Sequence, residues 1–198
     1  NQEAAAINVN AKYETTSVEI KGGKITAENN AIVLTNGRDG TIAVSGGTFS
    51  SEVKAEYCAP GFKSKTNSDG TYGVEIKEDM AAEVLDAQGN TVAAYGKLAD
   101  AITAAKNGET ITLLKDTKLE DAEYYINKSV TINGFGKKIS CTVKAGETTR
   151  AFVVEKNGSL TLDGVELDIQ GTKNLNTAKN NDGTGIDVQF GGKLVLKN

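Results

Sequence analysis

The sequence predicts an all-β chain of short strands stacked as a solenoid, and three observations predict it. The first is repetition. "VEIKGGKIT" from Val18 returns as "IAVSGGTFSSEV" from Ile42, 24 residues on (42 − 18). The second is alternation. Leu160, Leu162, Val165 and Leu167 take one side and Thr161, Asp163, Glu166 and Asp168 the other, the period of two that marks half-buried strands. The third is punctuation: with 22 glycines and one proline, NG, GG and DG turns interrupt each run after three to five residues. Runs that short cannot make a sheet of long strands. They can make coils, each burying its apolar face only by stacking on neighbours.

The elements follow in order. In the first repeats the glycine pairs allow positive φ at the corners between faces. "FKSKTNSDGTYGVEI" reads as a hairpin, Phe62–Thr66 and Thr71–Ile76 about a turn over Asn67–Gly70, and "AEVLDAQGNTVAAY" as a second, turning at Gln88-Gly89-Asn90. In "YGKLADAITAAKNGE" the residues Leu98, Ala101, Ile102 and Ala105 fall at i, i+3, i+4, i+7, which predicts one helix over Leu98–Lys106, stopped by Asn107-Gly108. A lone helix that short is marginal in water, so its apolar face is expected to be docked. The strand "ETITLLKDTKL" follows at once. Three segments share one pattern, from Ala31, Ala151 and Gly185: a β-run, a glycine turn and a second β-run, with the runs 10, 8 and 8 residues apart (32 to 42, 152 to 160, 186 to 194). "VTINGFGKKI" has the same texture. The reading is two segments with a boundary near Lys77–Met80: 1–76, the end of a first solenoid closing in a hairpin, and 77–198, a second solenoid opening with a hairpin and the capping helix. An open solenoid end exposes apolar side chains and unpaired backbone, and the helix stands where a cap belongs. The opening "NQEAAAINVN" and closing "KLVLKN" are expected to be edges within a longer protein.

Composition excludes several functions. There is no histidine, so Ser–His and Cys–His catalysis is absent from this chain and zinc lacks its usual ligand. The net charge of −4 gives no electrostatic footprint for nucleic acid. No run approaches the roughly 18 apolar residues that cross a membrane. Cys58 and Cys141, 83 residues apart (141 − 58), form either a disulfide or, as small apolar residues more often do, two buried thiols.

"GGTFSSEVKAEYCAPGFKSKTNSDGTYGV", "YGKLADAITAAKNGETITLLKDTKL" and "VTINGFGKKIS" together resemble a repeated module of large surface proteins of gut-dwelling, mostly Gram-positive bacteria. That family is similar to the pectate-lyase-like right-handed parallel β-helices. The resemblance covers Val18 to Ile139 and, more loosely, the rest. It implies right-handed parallel β-helix segments, an extracellular cell-surface location, and a non-catalytic structural or adhesion role in a larger secreted protein, whose partners are host or dietary glycans or surface proteins. A carbohydrate-active enzyme fragment and a glycan-binding module are the alternatives. "NGFGKKI" departs from the commoner "LNGKTI" and shifts a turn.

Candidate site residues are few. Asp163, Glu166, Asp168 and Asp187 are the fallback catalysts for glycoside hydrolysis or lyase chemistry. Strand alternation alone puts polar residues there, and it is the favoured reading. A lyase also wants a base beside its acids, and neither arginine, Arg38 or Arg150, sits in a run with them. No cofactor is expected. Calcium has one weak candidate triplet, Asn180, Asn181 and Asp182. The polar stretch Gly171–Gly185 stretches the repeat to 34 residues (160 to 194), and Lys173, Asn174, Asn176, Lys179 and Asp182 within it are the candidate contact loop. Sugar stacking and packing compete for the tyrosines; Tyr124 and Tyr125 cannot both point inward, so one is expected to be exposed.

Overall fold

The computed structural model describes residues 5–10, 16–35, 40–120, 123–143, 150–171 and 184–198. Strands hold 59% of these residues, beside a single α-helix, so the chain is all-β. It divides into two compact units, residues 1–79 with 90–94, and 80–89 with 95–198.

In the first unit, β1 (Ala5–Asn10) pairs parallel to β3 (Asn30–Thr35), and β2 (Thr16–Ile25) pairs parallel to β4 (Gly40–Phe49). The register sets Val18 against Ile42 and Ile20 against Val44, an offset of 24 (42 − 18). The repeat in the sequence is therefore the strand register itself. The expected corners at the glycine pairs are absent. Both strands run on through the pairs for ten residues, and the register slips there instead. Gly23 and Gly47 sit at φ +91° and +111°, so one glycine of each pair takes the left-handed step of a bulge and the chain bends without leaving the sheet. Val9, Ile20, Ile32, Ile42, Val44, Phe49 and Tyr57 form the core. The hairpin β5 (Phe62–Thr66) and β6 (Tyr72–Ile76) adds antiparallel through Phe49↔Tyr72. Its turn is held by Asp69, whose Oδ1 accepts from the Thr71 N–H and hydroxyl. β7 (Ala82–Leu85) and β8 (Thr91–Tyr95) flank the next turn, where Gly89 N–H donates to Asp86 O. Residues 90–94 return to the first unit, and Ala94 N–H donates to Pro60 O at 2.8 Å.

In the second unit, to which β7 also belongs, the helix α1 (Leu98–Ala104) buries Leu98, Ala101 and Ile102 and packs on β7 and the next two strands. It ends earlier than the sequence suggests, because Ala105 already has ψ 135°; the left-handed Gly108, φ +85°, belongs to the turn beyond. Then come nine strands in triplets, β9 (Thr110–Leu113), β10 (Thr117–Leu119) and β11 (Tyr124–Ile126); β12 (Ser129–Asn133), β13 (Lys138–Val143) and β14 (Arg150–Val154); β15 (Ser159–Asp163), β16 (Glu166–Gly171) and β17 (Thr184–Val188); β18 (Lys193–Lys197) opens the next. Each member of a triplet pairs parallel with its counterpart in the following one, giving the ladders β9-β12-β15-β18, β10-β13-β16 and β11-β14-β17. β7 extends the first ladder antiparallel to β9.

Inward positions line up along these ladders. Ile111, Ile132 and Leu162 stand in one row and Val130 and Leu160 in another, and all are buried, as is Leu113. Register offsets grow along the chain: 22 for Thr117↔Ile139, 28 for Tyr124↔Phe152 and 34 for Phe152↔Ile186. The extra residues enter between β13 and β14 and between β16 and β17. Rungs approach closely at their corners. A Cβ on Gly158 would lie 1.9 Å from Ile126 O, where Glu155 N–H donates to that same oxygen at 3.0 Å. Only a glycine lets the rungs meet there. The two cysteines are free thiols, Cys141 buried and Cys58 half-buried, so the expectation of two buried thiols holds for Cys141 alone.

Docking of α1 is directly testable. Ile102 is 3% exposed, and Ile102→Asp puts an unpaired carboxylate into that contact, a change of roughly 4 kcal/mol. Scanning calorimetry is expected to show the second unit's transition lowered by more than about 10 °C; a shift of a degree or two would mean the helix face is not sealed.

Candidate functional site

The four candidate acids do not share a face. Asp163 belongs to β15, Glu166 and Asp168 to β16, and Asp187 to β17, three strands in three separate sheets. Because β15, β16 and β17 belong to different sheets, the parallel pairing does not gather the four. Each acid also has a structural partner. Asp163 Oδ1 accepts from Asn198 Nδ2 at 2.6 Å, Glu166 pairs with Lys138 at 2.8 Å on the neighbouring rung, and Asp168 Oδ1 accepts from Gln170 Nε2 at 3.1 Å. The contact-loop residues Lys173, Asn174, Asn176 and Lys179 and the calcium candidates Asn180, Asn181 and Asp182 lie outside the described residues. Among the described residues no group of three or more His, Cys, Asp or Glu could hold a metal ion.

Asp187 leads to what the sequence concealed. Arg150, the first residue of β14, reaches Asp187 Oδ2 through Nη1 at 2.6 Å, and Glu123 through Nε at 2.8 Å and Nη2 at 3.3 Å. An arginine therefore does stand beside an acid, although 37 residues separate Arg150 from Asp187 in the chain. The ladder makes this meeting. Glu123 precedes β11, Arg150 opens β14 and Asp187 lies in β17, so one guanidinium bridges three successive rungs. The fork geometry of arginine suits a two-pronged grip on one carboxylate with a third bond to another. Both Arg150 and Glu123 side chains are about a fifth exposed, at 21% and 20%. The Arg150 hydrogen bonds, followed by that of the Tyr125 hydroxyl, hold the Glu123 carboxyl below the usual range. The two carboxylates raise the Arg150 guanidinium, Glu123 first, and it stays protonated. The set thus holds one permanent cation between two carboxylates, with the Glu123 carboxyl stabilised as its anion.

Beside the network lies a cleft of about 410 Å³ lined by Ile102 and Thr103 of α1 and by Glu123, Tyr124, Tyr125, Asn127 and Lys128. Two adjacent tyrosines divide as alternation demands. Tyr124 turns in against Phe152, centroids 6.4 Å apart, while Tyr125 faces out, 50% exposed. The Tyr125 hydroxyl donates to Glu123 Oε2, and that bond raises the phenol above its ordinary range. Burial does the same for Tyr124. Lys128 Nζ donates to Thr103 O and Ala105 O, satisfying the last carbonyls of α1.

Glu123 and Arg150 were missed because their sequence neighbours give no reason to pair them. One signal was available: the chain's cations are otherwise almost all lysine, and an isolated arginine opening a strand asks for a bidentate partner. Compared with known family models, curated proteins and solved structures, the chain matches none.

Glu123 gives the site a pH signature. Its folded-state pKa is depressed, so its contribution to stability is present above the unfolded glutamate value of about 4.3 and is lost as pH falls through the lower folded value. Melting temperatures of wild type and Glu123→Gln are expected to differ at pH 7 and to converge as pH drops through the carboxylate range. A gap that is constant from pH 7 to pH 3 would show that the carboxylate's charge is not what matters.

Proposed function

We propose that this chain is a non-catalytic structural or adhesion module of an extracellular bacterial cell-surface protein, folded as right-handed parallel β-helix segments. The triplet order of the ladders supports a helical coil, since a chain that contributes one strand to each of three sheets in turn, three times over, winds once per rung. The resemblance of its motifs to bacterial surface repeats supports the location. The observation that carries the non-catalytic reading is the dispersal of the acids: the four candidates sit in three sheets, each with a neutralising or hydrogen-bonding partner. Acid–base catalysis needs two groups flanking one bond with separated pKa values.

A carbohydrate-active enzyme is the alternative, and the observation in its favour is Arg150 beside Asp187. Incubation with pectin, arabinoxylan and mucin glycans, with and without calcium, separates the two. The expected result is no release of reducing ends or unsaturated uronates above buffer. Turnover that disappears in Asp163→Ala or Asp187→Ala would overturn the non-catalytic reading, because loss of general acid or base help alone costs about 10²–10⁴ in rate.

A further inference from the structure

We propose that the cleft between α1 and β11 binds a neutral saccharide, with the Tyr125 ring as its platform. This deepens the adhesion arm of the function just given and rests on it. An outward tyrosine on a three-residue strand ordinarily swings freely. This one is tied: its hydroxyl is bonded to Glu123, Glu123 is gripped by Arg150, and Arg150 is anchored on Asp187 two rungs away. A ring held in place before binding loses little freedom when a ligand arrives, the condition for an efficient contact surface. Its electron-rich face attracts the positively polarised C–H bonds on the apolar side of a sugar ring.

The rest of the cleft supplies matching polar groups. Asn127 is exposed and its amide has no partner among the described residues, so two donors and an acceptor are open to hydroxyl groups. Thr103 gives its hydroxyl hydrogen to Ala99 O and keeps its lone pairs. At about 410 Å³ the cleft has the size of a small-ligand site. Charge selects the class of sugar. Arg150 is paired with two carboxylates, and Lys128 keeps its charge while giving two of its three N–H bonds to the carbonyls that end the helix. Among the described residues the carboxylates of Glu123, Asp187 and Glu155 outnumber the cations Arg150 and Lys128 around the cleft by one, a balance that disfavours a uronate or a sulfate.

Native affinity electrophoresis of the full chain tests this, in gels containing galactomannan, xyloglucan or arabinoxylan, with polygalacturonate as the anionic comparison. At least one neutral polymer is expected to retard wild type, and polygalacturonate is not. Tyr125→Ala is expected to need about tenfold or more polymer for equal retardation, Tyr125→Phe to fall between, and Asn127→Ala to weaken binding as well. Melting curves within a few degrees of wild type verify that the variants fold; if Tyr125→Ala does not, Tyr125→Phe and Asn127→Ala decide. Wild type unretarded by every neutral polymer, variants migrating as wild type does, or retardation by polygalacturonate alone would each overturn the proposal. Those outcomes leave the non-catalytic reading untouched, since that one fails only on turnover.

Discussion

Everything in the second unit depends on one constraint: a rung of three to six residues cannot bury its own inward side chains, so the next rung must. The same side-chain type shows the effect at two places in one ladder. Leu162 of β15, covered by β18, is 3% exposed, whereas Leu196, its partner on β18, is 66% exposed. At the other end β7 and α1 cover the first rung, and Ile111 and Leu113 are almost wholly buried. The dependence is mutual. A helix of seven residues has no stability of its own, yet with Leu98, Ala101 and Ile102 against the sheet it removes apolar surface from water at about 25 cal/mol per Å².

The register that meets this constraint also creates the site. Backbone pairing fixes which residues of successive strand triplets lie side by side, and outward side chains inherit that order. Glu123, Arg150 and Asp187 come together because three rungs of one ladder are stacked, and the Tyr125 ring is steadied as a result. The ion network thus ties the scaffold's geometry to the cleft. It is solvent-accessible enough to be screened, so its main effect is to fix positions rather than to stabilise the fold.

Much of this was legible in the sequence, for a physical reason. Alternation and turn residues act within a few positions, so the hairpin Phe62–Ile76, the helix face Leu98–Ile102 and the strand pair around Leu160 can be read off locally. The 24-residue echo was also visible, because a repeated sequence and a parallel register are the same fact. Glycine pairs misled: they read as corners, but each supplies one left-handed residue to a bulge inside a continuous strand. The site was hidden because its residues meet through offsets that change from 22 to 34 along the chain. An insertion of six residues (28 − 22) between two strands leaves the strands' patterns intact while changing which outward side chains become neighbours.

Through-hydrogen-bond scalar couplings measure that register atom by atom. In the β9-β12-β15-β18 ladder, Thr131 N–H is expected to couple to the Glu109 carbonyl, Ser159 N–H to that of Lys128, and Lys193 N–H to that of Gly158. Those three couplings together would establish parallel rungs stacked in this order. Couplings of the same amides to carbonyls on sequence-adjacent strands, as an antiparallel meander of hairpins requires, would contradict it.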